Sequence, residues 1–354
     1  MTTGPLGLVL PTLPQQTTPA WAAPHGHRDP GTERAGGGGD GAPGGPESPD
    51  PIAELAAVCR QAEELGAGAL WACDHLFWHG PVLESLVTLT VAATATRHTT
   101  LGTCVVQLPM RTATVVAKQA ASLQQLSRGR LVLGVGVGSH AGEYEQAGAD
   151  YATRGRRLDE GIAELRRSWG TAAGCTRGDL AGTAADRYRQ LPGTPPVPVW
   201  VGGSSTAALE RAAALADGWI PLFLDRGEYA TAIERLAKEV DRAGRPADAV
   251  TRSMVLFVSV DDDAERGRMR GTAWMSSLYG LPAKAFERHL VAGSAAAVAE
   301  TVHGYREAGA EHVAVYVTAD APLEQFARLR SALGPDADRR GPRDAGRDAG
   351  GDAR

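Results

Sequence analysis

The chain has 354 residues, of which 43% are hydrophobic and 22% are charged, so it holds enough apolar sequence for the core of one large domain. The formal net charge of -5 argues against a general nucleic-acid surface, and a phosphate or carboxylate ligand would need a local positive or amide-lined pocket. No apolar stretch approaches the length of a membrane span. We therefore expect small-molecule partners, with no nucleic acid and no membrane.

Strand-like and helix-like patterns alternate along the chain, beginning with an apolar strand at residues 7–11 and an amphipathic helix at 51–65. Further strands are predicted at 69–73, 100–106, 131–137, 197–201, 218–222, 253–260 and 312–317. Helices between them are predicted at 83–96, 112–126, 154–169, 205–216, 228–243 and 294–308, with a less regular region at 261–293. This rhythm favours the α/β class and a closed (β/α)8 TIM barrel, in which function lies at the carboxyl ends of the strands. A doubly wound open sheet is the alternative.

Two segments differ in composition from the rest. Residues 22–50 are dense in Gly, Pro and charge, and residues 334–354 have the same character. Such sequence buries too little apolar surface to offset the entropy of ordering. We expect a flexible loop in the first case and a disordered tail in the second, so that residues 1–333 form a single domain.

The cysteines show no C-x-x-C spacing and are predicted to be reduced core residues: Cys59, Cys73, Cys104 and Cys175. The apolar stretch near the N-terminus lacks a basic leader and a long apolar region, which predicts a cytoplasmic protein. His75 and His79 are four residues apart, but Gly80 and Pro81 follow at once and disfavour a shared helical face. We expect no metal site.

Two glycine-rich strand ends are candidates for ligand binding. The run that starts at residue 131 carries Gly134, Gly136 and Gly138, which would let a ligand approach the backbone. Close packing between protein segments is the other interpretation. At residues 201–205 the sequence VGGSS precedes a helix whose N-terminus suits a phosphate, although a simple N-cap gives the same pattern.

Six blocks of sequence carry a likeness to a known family. They are LWACDHLFW at 70–78, LGTCVVQLPMRTATVVAKQAASLQQLSRGRLVLGVGVG at 101–138, EYEQAG at 143–148, RGRRLDEGI at 154–162, PVWVGGSS at 198–205 and ADGWIP at 216–221. With these blocks the chain resembles the bacterial luciferase-like family of flavin-dependent oxidoreductases over nearly all of its ordered sequence. The resemblance implies a (β/α)8 barrel that holds FMN or the deazaflavin coenzyme F420 at the strand ends, in agreement with the strand count.

The pair Asp74 and His75 matches a D-H pair of the family, which implies a histidine near the reactive edge of the flavin. Histidine suits proton donation or acceptance because its unperturbed pKa is about 6.5. A rim histidine that only hydrogen-bonds is the alternative. We expect Asp74 to orient or support the cofactor site, and Trp78 and His79 to line the substrate pocket.

The resemblance also implies the groups that contact the cofactor. Cys104 and Val105 match a segment where F420-using relatives carry a bulge with a non-prolyl cis peptide against the central ring of the deazaflavin. Gly138 and Ser139 match positions that approach the ring or the ribityl chain. The phosphate-side loop would consist of Gly202, Gly203 and Ser204.

One position departs from the pattern of several F420 enzymes. Ser139 stands where those relatives carry a glutamate that donates a proton. The departure disfavours the sugar-phosphate dehydrogenases of the family and makes His75 the best candidate for proton transfer. Glu143 is also available for proton transfer, but in the family its block more often serves the helix that follows the loop.

The resemblance implies F420-dependent hydride transfer to or from a small organic substrate, because the D-H-L-F, L-G-T and R-G-R-R-L-D-E blocks look most like that branch. The alternatives are a monooxygenase that uses reduced FMN and molecular oxygen, and a non-catalytic flavin-binding homologue. No residue set identifies the substrate. A homodimer that pairs through barrel helices is expected from the family.

Overall fold

The computed structural model describes residues 6–10, 50–78, 82–170, 195–318 and 320–334. Most of the predicted loop at 22–50 and nearly all of the predicted tail lie outside these residues, as do His79 and Cys175. All described strands belong to one sheet system. The single domain over 1–333 stays a prediction.

The described strands are β1 (Leu6–Val9), β2 (Ala69–Ala72), β3 (Thr100–Thr103), β4 (Val106–Gln107), β5 (Leu131–Gly136), β6 (Val199–Gly202), β7 (Gly218–Ile220), β8 (Thr251–Val260), β9 (Leu290–Gly293) and β10 (His312–Val317). Every pairing is parallel, and the order β1-β2-β3-β5-β6-β7-β8-β10 closes because β10 pairs with β1. β4 continues β3 beyond a bulge and pairs with β5. The predicted eight-stranded TIM barrel is confirmed.

The described helices are α1 (Pro51–Glu64), α2 (Ser85–Ala95), α3 (Ala113–Leu126), α4 (Ala141–Gln146), α5 (Arg154–Trp169), α6 (Thr206–Leu215), α7 (Arg226–Arg242), α8 (Ala264–Tyr279), α9 (Ala295–Glu307) and α10 (Pro322–Leu333). Local sequence sets several of their ends. Asp50 caps α1 ahead of a proline, Asp225 and Glu228 form a capping box on α7, and Gly170 ends α5 in the left-handed region. None of the described helices is long and apolar enough to cross a membrane.

The region at 261–293 is more regular than its sequence predicted. It contains α8 and then β9, which pairs with the second half of β8 outside the barrel. Four glycines and several polar residues obscure the helical pattern of the segment, and burial of one face of α8 against the barrel stabilises it instead. The prediction of irregular structure was wrong for this segment. The helix that it forms, α8, lies beside the strand ends.

Two tryptophans fill the interior of the barrel. The rings of Trp71 and Trp200 lie 5.3 Å apart, and both side chains are almost fully buried. Glycines on neighbouring strands leave room for them: a Cβ at Gly102 would lie 2.3 Å from the Trp71 ring, and one at Gly218 would lie 2.5 Å from the Trp200 ring. Because the interior is filled, a ligand finds space only at the carboxyl ends of the strands.

Candidate active site

A cavity of about 470 Å³ lies at the carboxyl ends of the strands, a size within the range of small-molecule sites. The predicted site residues that line it are Asp74, His75, Trp78, Cys104, Val105, Gly138, Ser139, Gly202, Gly203 and Ser204. His79 lies outside the described residues. The barrel thus brings together segments that are far apart in sequence, while the roles assigned to these residues stay predictions.

His75 is held by Glu143, a partner that the sequence analysis did not assign to it. The Nδ1 atom of His75 lies 3.0 Å and 3.2 Å from the two carboxylate oxygens. Glu143 belongs to α4, is fully buried, and also accepts the backbone N–H groups of Leu76 at 2.7 Å and Phe77 at 3.2 Å. The carboxylate therefore fixes both the imidazole and the backbone that follows it.

The charge of Glu143 is kept despite its burial. Burial raises the pKa of the carboxyl, but the hydrogen bond and charge of His75 and two backbone N–H groups outweigh it and hold the pKa below its ordinary value. Gln107 donates from Nε2 to the Asp74 carbonyl at 3.0 Å and to Glu143 at 3.3 Å. The Gln107 nitrogen also lies 2.9 Å from Nδ1 of His75. Because its two amide hydrogens serve the Asp74 carbonyl and Glu143, we assign the Nδ1 proton to the hydrogen bond with Glu143, which leaves Nε2 of the imidazole available to a ligand.

Asp74 anchors the loop through contacts within the protein. Its carboxylate accepts hydrogen bonds from the Arg111 guanidinium at 2.6 Å, the Gln107 backbone N–H at 3.0 Å and the Ser85 hydroxyl at 3.2 Å. Burial raises the pKa of Asp74, and the positive charge of Arg111 opposes that rise. These bonds tie the end of β2 to β4 and α2, while the role of Asp74 toward a cofactor stays a prediction.

The peptide bond between Cys104 and Val105 is cis and lies in the bulge between β3 and β4, as the resemblance implied. The Cys104 thiol lines the cavity beside that of Cys73, with 3.8 Å between the Sγ atoms. Cys59 is fully buried behind the sheet, and burial raises its pKa to about 12. The three described cysteines are free, and Cys73 and Cys104 both pack against the core and line the cavity.

The glycines of β5 make room for this bulge. A Cβ at Gly134 would lie 2.0 Å from the carbonyl oxygen of Thr103, and a Cβ at Gly136 would lie 2.6 Å from a methyl group of Val105. Gly138 has a φ of +70°, and its Cβ would lie 2.1 Å from the side-chain oxygen of the glutamine on β4. The packing interpretation therefore accounts for these glycines, although Gly136 and Gly138 also line the cavity.

The loop after β6 presents backbone and a hydroxyl to the cavity. Gly203 has a φ of +111°, a conformation that favours glycine, and Trp219 donates from its indole N–H to the Gly203 carbonyl at 2.8 Å. Ser205 caps α6 by accepting the N–H of Ala208 at 3.2 Å, and Ser204 is exposed. The first amide groups of α6 have no partner within the helix and suit an anion.

A second side of the cavity is formed by an aromatic wall, which we define as Phe223, Phe257, Tyr279 and Tyr316. Phe257 stacks between Phe223 at 5.2 Å and Tyr316 at 5.3 Å, measured between ring centroids. Tyr279, the last residue of α8, meets Phe223 edge-on at 5.5 Å. Burial raises the pKa values of both tyrosines, so they are neutral. The wall joins the segment after β7 with β8, β10 and α8.

Trp78 connects the two sides of the cavity. Its ring lies 4.1 Å from that of His75 and 5.8 Å from that of Tyr279, and its indole N–H donates to the Leu278 carbonyl. No lysine or arginine occurs among the described residues that line the cavity. Among the described ranges, no group of three or more His, Cys, Asp or Glu side chains could hold a metal ion.

Sequence reasoning missed Gln107, the aromatic wall and the pairing of Glu143 with His75. Glu143 follows the glycine turn of β5 closely, and Gln107 ends the strand that carries the bulge, so proximity to strand ends was an available signal. Tyr316 occupies an inward position of the alternating strand HVAVYV. The contribution of α8 carried no such signal, because that segment was not predicted to be helical.

The family model described as luciferase-like monooxygenase matches residues 31–277, more than two-thirds of the chain. An uncharacterised protein of Mycobacterium tuberculosis is 35% identical over 171 residues, 47% of this chain and 57% of that protein. A phthiodiolone/phenolphthiodiolone dimycocerosates ketoreductase of Mycobacterium kansasii is 32% identical over 197 residues, 53% of each chain. The chain spans little more than half the length of these curated relatives.

Solved structures share the barrel. An F420-dependent secondary alcohol dehydrogenase with an F420-acetone adduct aligns with a TM-score of 0.67 at 16% identity, over 81% of this chain and 95% of that one. A monooxygenase from Streptomyces bottropensis aligns with a TM-score of 0.63 at 21% identity, over 80% and 91% of the two chains. At these identities the likeness shows the fold.

Proposed function

Because the chain belongs to the luciferase-like monooxygenase family, we propose that it is an F420-dependent oxidoreductase that acts on a small organic substrate, with His75 as the proton donor or acceptor. The observation that carries this proposal is the His75–Glu143 pair, since it leaves Nε2 of the imidazole available in the cavity. Transfer of a hydride to a carbonyl, or from an alcohol, needs a proton moved at the substrate oxygen.

The residues of the cavity fit a deazaflavin. The bulge at Cys104 and Val105 and the turn at Gly138 and Ser139 would border its ring system, and the amide-rich loop at 202–204 would hold its phosphate. When bound, F420 supplies or takes up the hydride. The apolar residues around the cavity exclude water from the reacting groups.

The protein's own contribution is proton transfer and orientation. In carbonyl reduction, the protonated His75 donates from Nε2 to the substrate oxygen, while anionic Glu143 stabilises the imidazolium through Nδ1. In alcohol oxidation, neutral Nε2 accepts the hydroxyl proton. Gln107 and Asp74 hold this arrangement in place through the Gln107 amide and the Asp74 carbonyl. The name of the ketoreductase relative supports chemistry at a carbonyl.

Monooxygenation with reduced FMN and molecular oxygen is the second candidate. It is supported by the description of the family model and by the fold shared with a Pseudomonas putida diketocamphane monooxygenase solved with FMN, which aligns with a TM-score of 0.61 at 15% identity over 80% of this chain and 91% of that one. The same water-excluding cavity would serve that reaction.

Separate titrations of the purified protein with F420 and FMN distinguish the candidates. We expect F420 to bind with quenched fluorescence, FMN not to bind, and F420 to change redox state when alcohols or ketones are added. FMN binding with substrate-dependent oxygen uptake would favour the second candidate. Cofactor binding without turnover on a broad panel of alcohols and ketones would indicate a non-catalytic flavin-binding protein.

A further inference from the structure

The two sides of the cavity differ in chemistry. We call Asp74, His75, Gln107 and Glu143 the polar half; its ionisable groups are tied together by hydrogen bonds or ion pairs. The aromatic wall offers ring faces and edges, and Leu222, Val255 and Leu278 extend its apolar surface. A substrate that places an oxygen at His75 therefore lies with the remainder of its body against apolar groups.

Phe223 is the exposed end of the stacked rings. Its ring is partly accessible, whereas Phe257 and Tyr316 are 2% and 3% exposed. The backbone φ of Phe223 is +61°, an unusual value for a bulky side chain, and it is retained where surrounding packing outweighs the strain. Contacts with Tyr279 and the His289 ring at 5.2 Å hold the ring over the cavity.

Among the described residues, the aromatic side of the cavity offers no counter-ion for an anionic substrate. None of its described lining residues is a lysine or arginine, and the nearby Arg111 is paired with Asp74 and Glu84. An anionic group placed on the aromatic wall would lose its hydration without gaining a partner. Neutral apolar groups gain from the same burial.

We propose that the cavity selects neutral alcohols or ketones with an extended apolar body, and that Phe223 is a specificity-determining residue that packs against this body. The assignment rests on the proposed function for the reacting oxygen at His75. The preference for apolar, uncharged ligands follows from the wall itself.

Isothermal titration calorimetry with 2-pentanone, 2-hexanone, 2-heptanone and 2-octanone tests the proposal, on both cofactor-loaded and cofactor-free protein. We expect each added methylene to tighten the dissociation constant about three- to fourfold. The anion 5-oxohexanoate replaces the terminal methyl of 2-hexanone by a carboxylate, and it should bind more than about tenfold more weakly than 2-hexanone.

Phe223→Gly removes the ring and suits the positive φ, so a loss of affinity in this variant comes from the missing ring. We expect 2-octanone to bind about tenfold more weakly and the gain per methylene to shrink. Val115→Ala, an exposed apolar change on α3, is the matched control and should leave the affinity for 2-octanone and its increase per methylene unchanged.

Three results would overturn the proposal. These are equal affinity for 5-oxohexanoate and 2-hexanone, no increase in affinity per methylene, and an affinity for 2-octanone in Phe223→Gly that equals that of the unmodified protein. Failure of F420 and FMN to bind would instead overturn the proposed function, since the ketone series is also measured without cofactor.

Discussion

The polar half and the aromatic wall share one cavity, but different interactions hold them in place. In the polar half, Glu143 and Asp74 are buried carboxylates, each satisfied by several donors and one cationic or protonatable partner. In the aromatic wall, ring packing fixes the side chains and no ion pair is needed. The first arrangement controls charge and proton position, whereas the second controls shape. A single substitution should therefore affect chemistry in one region and ligand selection in the other.

The largest expected effect on turnover comes from His75→Ala. Loss of general acid–base catalysis should lower kcat about 10²- to 10⁴-fold, while the F420 dissociation constant changes little. Steady-state kinetics and F420 fluorescence titration measure the two effects. His98→Ala, at an exposed site, is the control and should retain full activity. Unchanged turnover in His75→Ala would exclude the assigned role.

Arg111→Met tests the structural part of the polar half. The substitution leaves the Asp74 carboxylate buried without its cation and should cost about 3–5 kcal/mol of unfolding free energy. Chemical denaturation at pH 7 measures this cost. Arg156→Met removes an exposed i,i+4 pair with Glu160 and should cost less than about 1 kcal/mol. Similar losses in the two variants would contradict a special role for the buried pair.

Glu143→Gln separates positioning from proton transfer. It keeps the shape of the side chain but removes the charge that stabilises the His75 imidazolium, so kcat should fall about 10- to 100-fold. The F420 dissociation constant should change little, a result that a general loss of packing would not give. Glu145→Gln, on the exposed face of the same helix, should leave both quantities unchanged.

The pH dependence of the unfolding free energy separates the contribution of His312 from that of Glu143 in the polar half. His312, on the strand that carries Tyr316, packs against Trp200, and burial lowers its pKa to about 4. The unfolded chain therefore takes up this proton at higher pH than the folded one. Stability is fully present above the ordinary histidine pKa and falls as the pH drops from about 6.5 to 4, by up to about 2 kcal/mol at pH 5.

The lowered pKa of Glu143 has the same sign but a more acidic window. Its contribution is present above the ordinary pKa of glutamate and is lost as the pH falls through the lower folded value. His312→Gln should reduce the loss of unfolding free energy between pH 6.5 and 5, to which His289 also contributes because burial lowers its pKa, whereas Glu143→Gln should not reduce it. The reverse result would assign the titration to the polar half.

Much of the site could be predicted from strand order. Residues directly after strands, such as His75, Gly138 and Ser204, meet because the parallel strands of a closed barrel end at one rim. Strand order brings Glu143 to the same rim, but it does not show that the carboxylate contacts His75, because that contact depends on the turn into α4. Tyr279 was missed for a related reason, since α8 owes its position to burial against the barrel.

The sequence by itself determined the alternation of eight strands with helices, the family, and the strand ends that form the cavity, because side-chain periodicity and local motifs are properties of neighbouring residues. Tertiary structure alone decided that the β5 glycines serve the bulge, that Glu143 orients His75, and that four aromatic rings from separate parts of the chain form one wall. These features depend on distances between segments remote in sequence, and closure of the barrel sets those distances.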